Sequence, residues 1–150
     1  QPVVMAMVAP LSGTISDRIG SRLPGTLGMA MMALGVFLLS RLGPTSPMIQ
    51  VVLSLAVVGL GTGTFISPNN SALMGSAPRH RQGIAAGVLA TARNFGMVLG
   101  VGLAGAIFTT VLTNAETSAG TALYTATRST FLTTCVIAIL GILTSAARSQ

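Results

Sequence analysis

The chain has 150 residues, 51% of them apolar and only 7% charged, and its formal net charge of +6 comes from eight arginines against two acids, without lysine. A soluble domain carries about 25% charged residues, so this composition excludes an ordinary water-exposed surface and makes lipid the expected solvent. In that setting the positive balance reads as loops lying beside anionic lipid rather than as a nucleic-acid surface.

A helix that crosses the hydrocarbon needs roughly 20 mostly apolar residues. The charge-free runs 23–40, 42–78, 94–115 and 129–147 supply such lengths. Because open backbone is not tolerated in lipid, they predict an all-α, polytopic helix bundle. Five spans are expected, near residues 2–15, 24–40, 48–74, 83–112 and 128–146, within one membrane domain covering 1–150. The chain opens on Gln1 inside an apolar run, so the first span is expected to be cut short and the chain to be a piece of a longer protein. The first ten residues hold no basic residue, and no signal peptide is expected there.

Between the first two spans lies "LSGTISDRIGSRLP", which packs Asp17, Arg18 and Arg22 among Gly13 and Gly20. A carboxylate at a membrane edge is stable against a helix N-terminus or an arginine. The residues therefore fit two readings, a turn with topogenic arginines or a latch that joins and releases helix bundles. The next connections, "GPTSP", "GSAPRHRQ" and the polar "TNAETSAGTALYTAT", carry the expected turn formers. Alternate connections share a side. Arg18, Arg22, Arg79, Arg81 and Arg148 fall on one, whereas Arg41 and Arg128 fall on the other with Glu116. The positive-inside rule makes loops 16–23 and 75–82 and the C-terminus cytoplasmic in a multi-pass protein.

Within the spans, Gly59 and Gly63, Gly83 and Gly87, and Gly96 and Gly100 stand four apart, the spacing of a helix-packing groove. Arg93 lies about ten residues into the fourth span, roughly 15 Å from the preceding loop at a helix's rise. It either lines an aqueous cavity or snorkels to the interface. Asn69 and Asn70, beside Pro68, stand at a similar distance from the same loop and are candidates to face Arg93; Asn94 occupies another side of its helix. Ordinary interhelical hydrogen bonding is the alternative for each asparagine. The lone Cys135 reads as a small packing residue. No metal site, cofactor or catalytic constellation is expected, and His80 reads as a solvated side chain between arginines.

The stretch "VVLSLAVVGLGTGTF" tests an enzyme reading, since a strand followed by spaced glycines opens dinucleotide-binding folds. There Arg79 or Arg81 would meet a 2′-phosphate. Glycines at 59, 61 and 63 leave Ile66 where the third glycine of that motif belongs, and the flanking runs are too long and charge-free for soluble strands.

The pattern G-x-x-x-D-R-x-G-x-R, formed by Gly13, Asp17, Arg18, Gly20 and Arg22, resembles the signature loop of the major facilitator superfamily, which recurs in each six-helix half. Ser21 replaces the basic residue usual after the second glycine, as in a relaxed second copy. Residues 59–108 resemble the fourteen-span drug:proton antiporter branch through Pro68, Asn69, Pro78, Arg81, Gly83, Gly87, Arg93, Gly96 and Gly100, with Gln82 interrupting the usual R-G pair. The resemblance implies the last four and a half helices of the C-terminal half of a secondary transporter in a bacterial cytoplasmic membrane. It further implies proton-coupled efflux of drugs or other small molecules by alternating access, with the coupling acids on the missing N-terminal part. A carrier for one metabolite, such as a sugar or carboxylate, is the alternative. Partners implied are the bilayer, that N-terminal part, a small-molecule cargo and protons; no nucleic acid is implied.

Overall fold

A computed structural model describes residues 1–114 and 119–147. Among them the backbone forms five α-helices and no strand: α1 (Pro2–Ile19), α2 (Arg22–Ser40), α3 (Met48–Ser76), α4 (Gln82–Thr113) and α5 (Ala119–Ala147), with a 3₁₀ turn Arg79–Arg81 leading into α4. Helices α2 to α5 are long and apolar enough to cross a bilayer. Helix α1, 18 residues long, is not among these candidates, because its second half holds Ser12, Thr14, Ser16, Asp17 and Arg18. At about 1.5 Å per residue, the 32 residues of α4 run some 48 Å, beyond a hydrocarbon thickness of about 30 Å.

Three boundaries differ from the expected ones. The loop expected over 16–23 shrinks to Gly20 and Ser21, because nothing in "ISDRI" breaks a helix and Gly20, at φ 87°, reverses the chain in a single step. The loop expected over 75–82 loses its first residues to α3 and its last to α4, while the 3₁₀ turn takes up Arg79–Arg81. Helix α5 begins at Ala119, well before the span start expected at residue 128. Threonines in this polar stretch are compatible with a helix because their hydroxyls bond back to carbonyls one turn earlier, as Thr125 does to Thr121 (2.9 Å) and Thr127 to Leu123 (2.8 Å). The expected polar residues at 115–118 lie outside the described residues.

The helices stand side by side in the order α1, α3, α2, α5, α4, each packed chiefly on its neighbours in that row. Glycines place α3 between its two partners. A Cβ on Gly61 would lie 2.5 Å from the Met32 amide nitrogen and 2.7 Å from the Gly28 carbonyl oxygen of α2; one on Gly28 would lie 2.6 Å from the Phe65 nitrogen. On the opposite side of α3, a Cβ on Gly59 would lie 2.7 Å from the Gln1 carbonyl oxygen, and one on Gly63 would meet the Met5 oxygen at 3.0 Å. Two residues along a helix turn the direction by about 200°, so Gly-x-Gly-x-Gly opens both sides of α3 at one level. Farther along the α1–α3 contact, the Ser12 hydroxyl donates to the Thr64 carbonyl across 2.8 Å.

These contacts also set directions. Early α1 meets Gly59 and late α1 meets Ser67, so α1 and α3 run parallel; Gly28 meets Phe65 while Gly35 meets Val58, so α2 runs against them. On its other flank α2 meets α5, where the Cys135 thiol donates to the Ala33 carbonyl at 3.6 Å and Met29 reaches Gly141. Apart from Pro24 and Pro68, the buried apolar side chains among the described residues are small: Ala33, Ala122, Ala126 and Cys135. Large ones point outward, with Met7 71% and Val98 70% exposed. Small residues inside and bulk outside is the arrangement of helices that associate by close backbone approach in lipid rather than by hiding hydrocarbon from water.

A methyl group on Gly61 must push backbone apart, an overpacking cost of about 1–3 kcal/mol. Thermal unfolding of the purified protein in detergent is expected at a lower midpoint for Gly61→Ala. The same change at the exposed helical Gly75, whose Cβ would meet nothing within 4 Å, is expected to leave the midpoint where it is or to raise it through better helix propensity.

Candidate functional site

The alternating helix directions gather the charged connections at one end of the row. The last turn of α1 carries Asp17 and Arg18, both exposed; Gly20 turns the chain, and Arg22 opens α2. The α3–α4 connection brings Arg79, His80 and Arg81, all exposed, to the same end. Asp17 is the single carboxylate among the described residues, set among four arginines of its own end. No three His, Cys, Asp or Glu side chains gather among the described residues.

The two glycines of the Asp17 element have separate structural jobs. Gly13 lies on the side of α1 that meets α3, where a Cβ would come 2.8 Å from the Ser67 hydroxyl. Gly20 has open space around it but a positive φ, and its N–H donates to the Ser16 carbonyl at 2.8 Å, closing the end of α1. The first glycine therefore seats the helix, and the second ends it. Together they hold Asp17 and Arg18 on a rigid last turn rather than in a loose loop.

The four candidate cavity residues lie on two helices. Asn69 and Asn70 are half-buried on α3, next to the buried Pro68; Arg93 and Asn94 are exposed on α4. Helices α3 and α4 share little contact, so Arg93 is not brought against either asparagine. Arg93 sits 11 residues past Gln82, about 16 Å along the axis at the helical rise. No residue of α4 is buried.

The candidate packing glycines divide in the same way. Gly59 and Gly63 touch α1, whereas Gly83, Gly87, Gly96 and Gly100 meet nothing within 4 Å. Gly87 instead floors a shallow groove along α4, walled by Ile84, Val88, Thr91, Ala92 and Phe95. At helical spacing those positions form one side, and Arg93 points roughly the other way. Sequence reasoning missed the closest helix approach, Gly28 on Gly61; the signal available was that Gly61 falls between two glycines that share the opposite side.

The sequence matches a known family. The profile of the Major Facilitator Superfamily covers residues 2–148. The chain belongs to that superfamily. It is similar to the riboflavin transporter RibZ of Clostridioides difficile, 33% identical over 112 residues, or 75% of this chain and 25% of RibZ. To the uncharacterized transporter YebQ of Escherichia coli it is 42% identical over 103 residues, 68% of this chain and 22% of the relative. The multidrug resistance protein Stp of Mycobacterium tuberculosis is 30% identical over 103 residues, 69% of this chain and 19% of Stp. The chain thus spans about a fifth to a quarter of the length of these relatives. No solved structure gives a significant match. Membership identifies a transporter family, not an enzyme, and the long apolar helices are its multi-pass membrane segments.

Within this superfamily chain the turn at Gly20 is open to a direct test. Gly20 holds φ 87° and ψ 158°, a region essentially confined to glycine that costs an alanine about 1–3 kcal/mol. Gly20→Ala is expected to destabilise the protein by about that much and so to lower the thermal midpoint in detergent, whereas Gly25→Ala, at a helical glycine with nothing within 4 Å, is expected not to.

Proposed function

We propose that this chain is the C-terminal part of a proton-coupled efflux transporter for drugs or other small molecules, working by alternating access in a bacterial cytoplasmic membrane. The observation that carries the reading is the Asp17 element: a carboxylate and an arginine held exposed on a closed helix end, among the arginines that gather at one end of the row. The positive-inside rule makes that end cytoplasmic. There Asp17 and Arg18 form charge-assisted hydrogen bonds with the other half of the transporter in one orientation of the bundles, and these break when the bundles rock. The spans of this chain hold no titratable carboxylate, so the proton is carried by acids on the N-terminal part of the protein. Arg93, well inside α4, faces the transport cavity in the assembled molecule, where an unpaired cation inside a bilayer is otherwise expensive. Gly83, Gly87, Gly96 and Gly100 seat helices of that other part.

A relative named for multidrug resistance supports the efflux reading. A relative named for riboflavin supports the second one, a carrier for one metabolite. Charged side chains are scarce within the spans, which favours the first, because a site for one polar metabolite needs several fixed polar groups.

The latch is tested by Asp17→Ala and Arg18→Ala in the full-length transporter, assayed as proton-driven movement of a fluorescent cationic dye in inverted vesicles. Each is expected to slow efflux by about tenfold, the equivalent of one charge-assisted hydrogen bond, at unchanged membrane level; full transport by either variant removes the latch role. In the same assay Arg93→Lys is expected to keep part of the activity and Arg93→Ala to lose it, and an active alanine variant speaks against a cavity role.

A further inference from the structure

The end of the row opposite Asp17 holds a second, different site. Helix α2 ends at Ser40 and α3 begins at Met48, and between these helices a cavity of about 320 Å³ is lined by Leu38, Arg41, Leu42, Gln50, Leu53 and Ser54. It is mostly hydrocarbon with one guanidinium and one amide at its polar end. Arg41 stands over the Phe37 ring, 5.9 Å from its centroid, a cation–π contact that steadies the guanidinium. The Ser54 hydroxyl is already committed to the Gln50 carbonyl at 2.7 Å, which leaves the N–H groups of Arg41 and of the Gln50 amide as donors.

We infer that this groove binds an anionic phospholipid of the leaflet opposite the Asp17 end, its phosphate on Arg41 and Gln50 and one acyl chain along the leucines of α2. Three features of the structure select that occupant. First, the polar part of the groove's lining is a guanidinium and an amide, so the groove has a cation to meet a phosphate and no carboxylate among its lining residues to meet an ammonium headgroup. Second, Leu23, Leu27, Leu34 and Leu38 are all exposed and lie on one side of α2, away from the Gly28–Gly35 seam, with Arg41 at the end of the stripe. A hydrocarbon track capped by a guanidinium at the membrane edge has the order of a lipid read from tail to headgroup. Third, the contacts of Met29 with Gly141 and of Ala33 with Cys135 set the antiparallel register of α2 and α5. That register brings Arg128 of α5 about level with Arg41, adding positive potential at the headgroup depth.

The inference rests on the membrane setting of α2 and α3 but not on cargo or coupling, so transport activity is not its readout. The purified protein in neutral detergent is titrated with phosphatidylglycerol, phosphatidylethanolamine, phosphatidylcholine and inorganic phosphate, with thermal midpoint and lipid adducts in native mass spectrometry as readouts. Phosphatidylglycerol is expected to raise the midpoint and to survive as an adduct. Arg41→Gln is expected to weaken that binding by about tenfold, and Gln50→Leu to weaken it less. Arg18→Gln, at the other end, is expected to bind as the wild type does. Gln50→Leu keeps the test open should Arg41→Gln fold poorly. Equal phosphatidylglycerol binding in the Arg41 and Gln50 variants and the wild type overturns the inference. So does equal stabilisation by the zwitterionic lipids, or by inorganic phosphate, which would make the site one for a free anion.

Discussion

The arrangement depends on how closely α3 is approached on its two sides. Backbone atoms of α2 stand where a Cβ on Gly61 would be, and backbone atoms of α1 stand against Gly59 and Gly63. Without a hydrophobic drive between helices in lipid, association relies on dispersion contact and on the few polar bonds made across the seam. Both need backbones to come near. The Ser12–Thr64 hydrogen bond is possible only because the glycines let α1 lie that close. Any side chain at these positions widens the seam along its whole length, since a rigid helix cannot yield at one residue alone.

Once α3 is seated between α1 and α2, the rest of the row and the placement of charge follow. Helix directions alternate, so every second connection meets at the same end, and the arginines near Gly20 and near Pro78 share that end despite some sixty intervening residues. The two ends then differ in kind. One gathers a carboxylate and several arginines, the charges on which the proposed latch rests. The other sets Arg41 at the rim of a leucine-lined groove, a chemistry suited to holding a lipid in place. A single helix, α2, thus links the proposed latch to the proposed lipid site.

Helix α4 departs from this pattern. It buries nothing, exposes glycines along much of its length and carries Arg93 far from either end. Its apolar groove over Gly87 and its arginine point to different sides. Its exposure stands beside the fact that the chain spans about a fifth to a quarter of its relatives.

Hydrophobic length, the scarcity of charge and the alternation of arginines were enough to read from the sequence that the chain is an all-helical membrane bundle, roughly where its helices lie and which connections share an end. Those properties are local, or sum along the chain, because lipid enforces them on each segment separately. The motif around Asp17 was legible as well, though not that it sits on a helix end, since one positive φ at Gly20 decides whether the stretch is a loop or a reversal. Tertiary structure alone assigned the glycines: Gly61 to the closest seam, Gly59 and Gly63 to α1, and those of α4 to no neighbour among the described residues. Spacing says which residues share a side of a helix, but only the packed neighbours say what that side meets, and for the same reason Arg93 and Asn69, level in sequence terms, stand on helices that hardly touch.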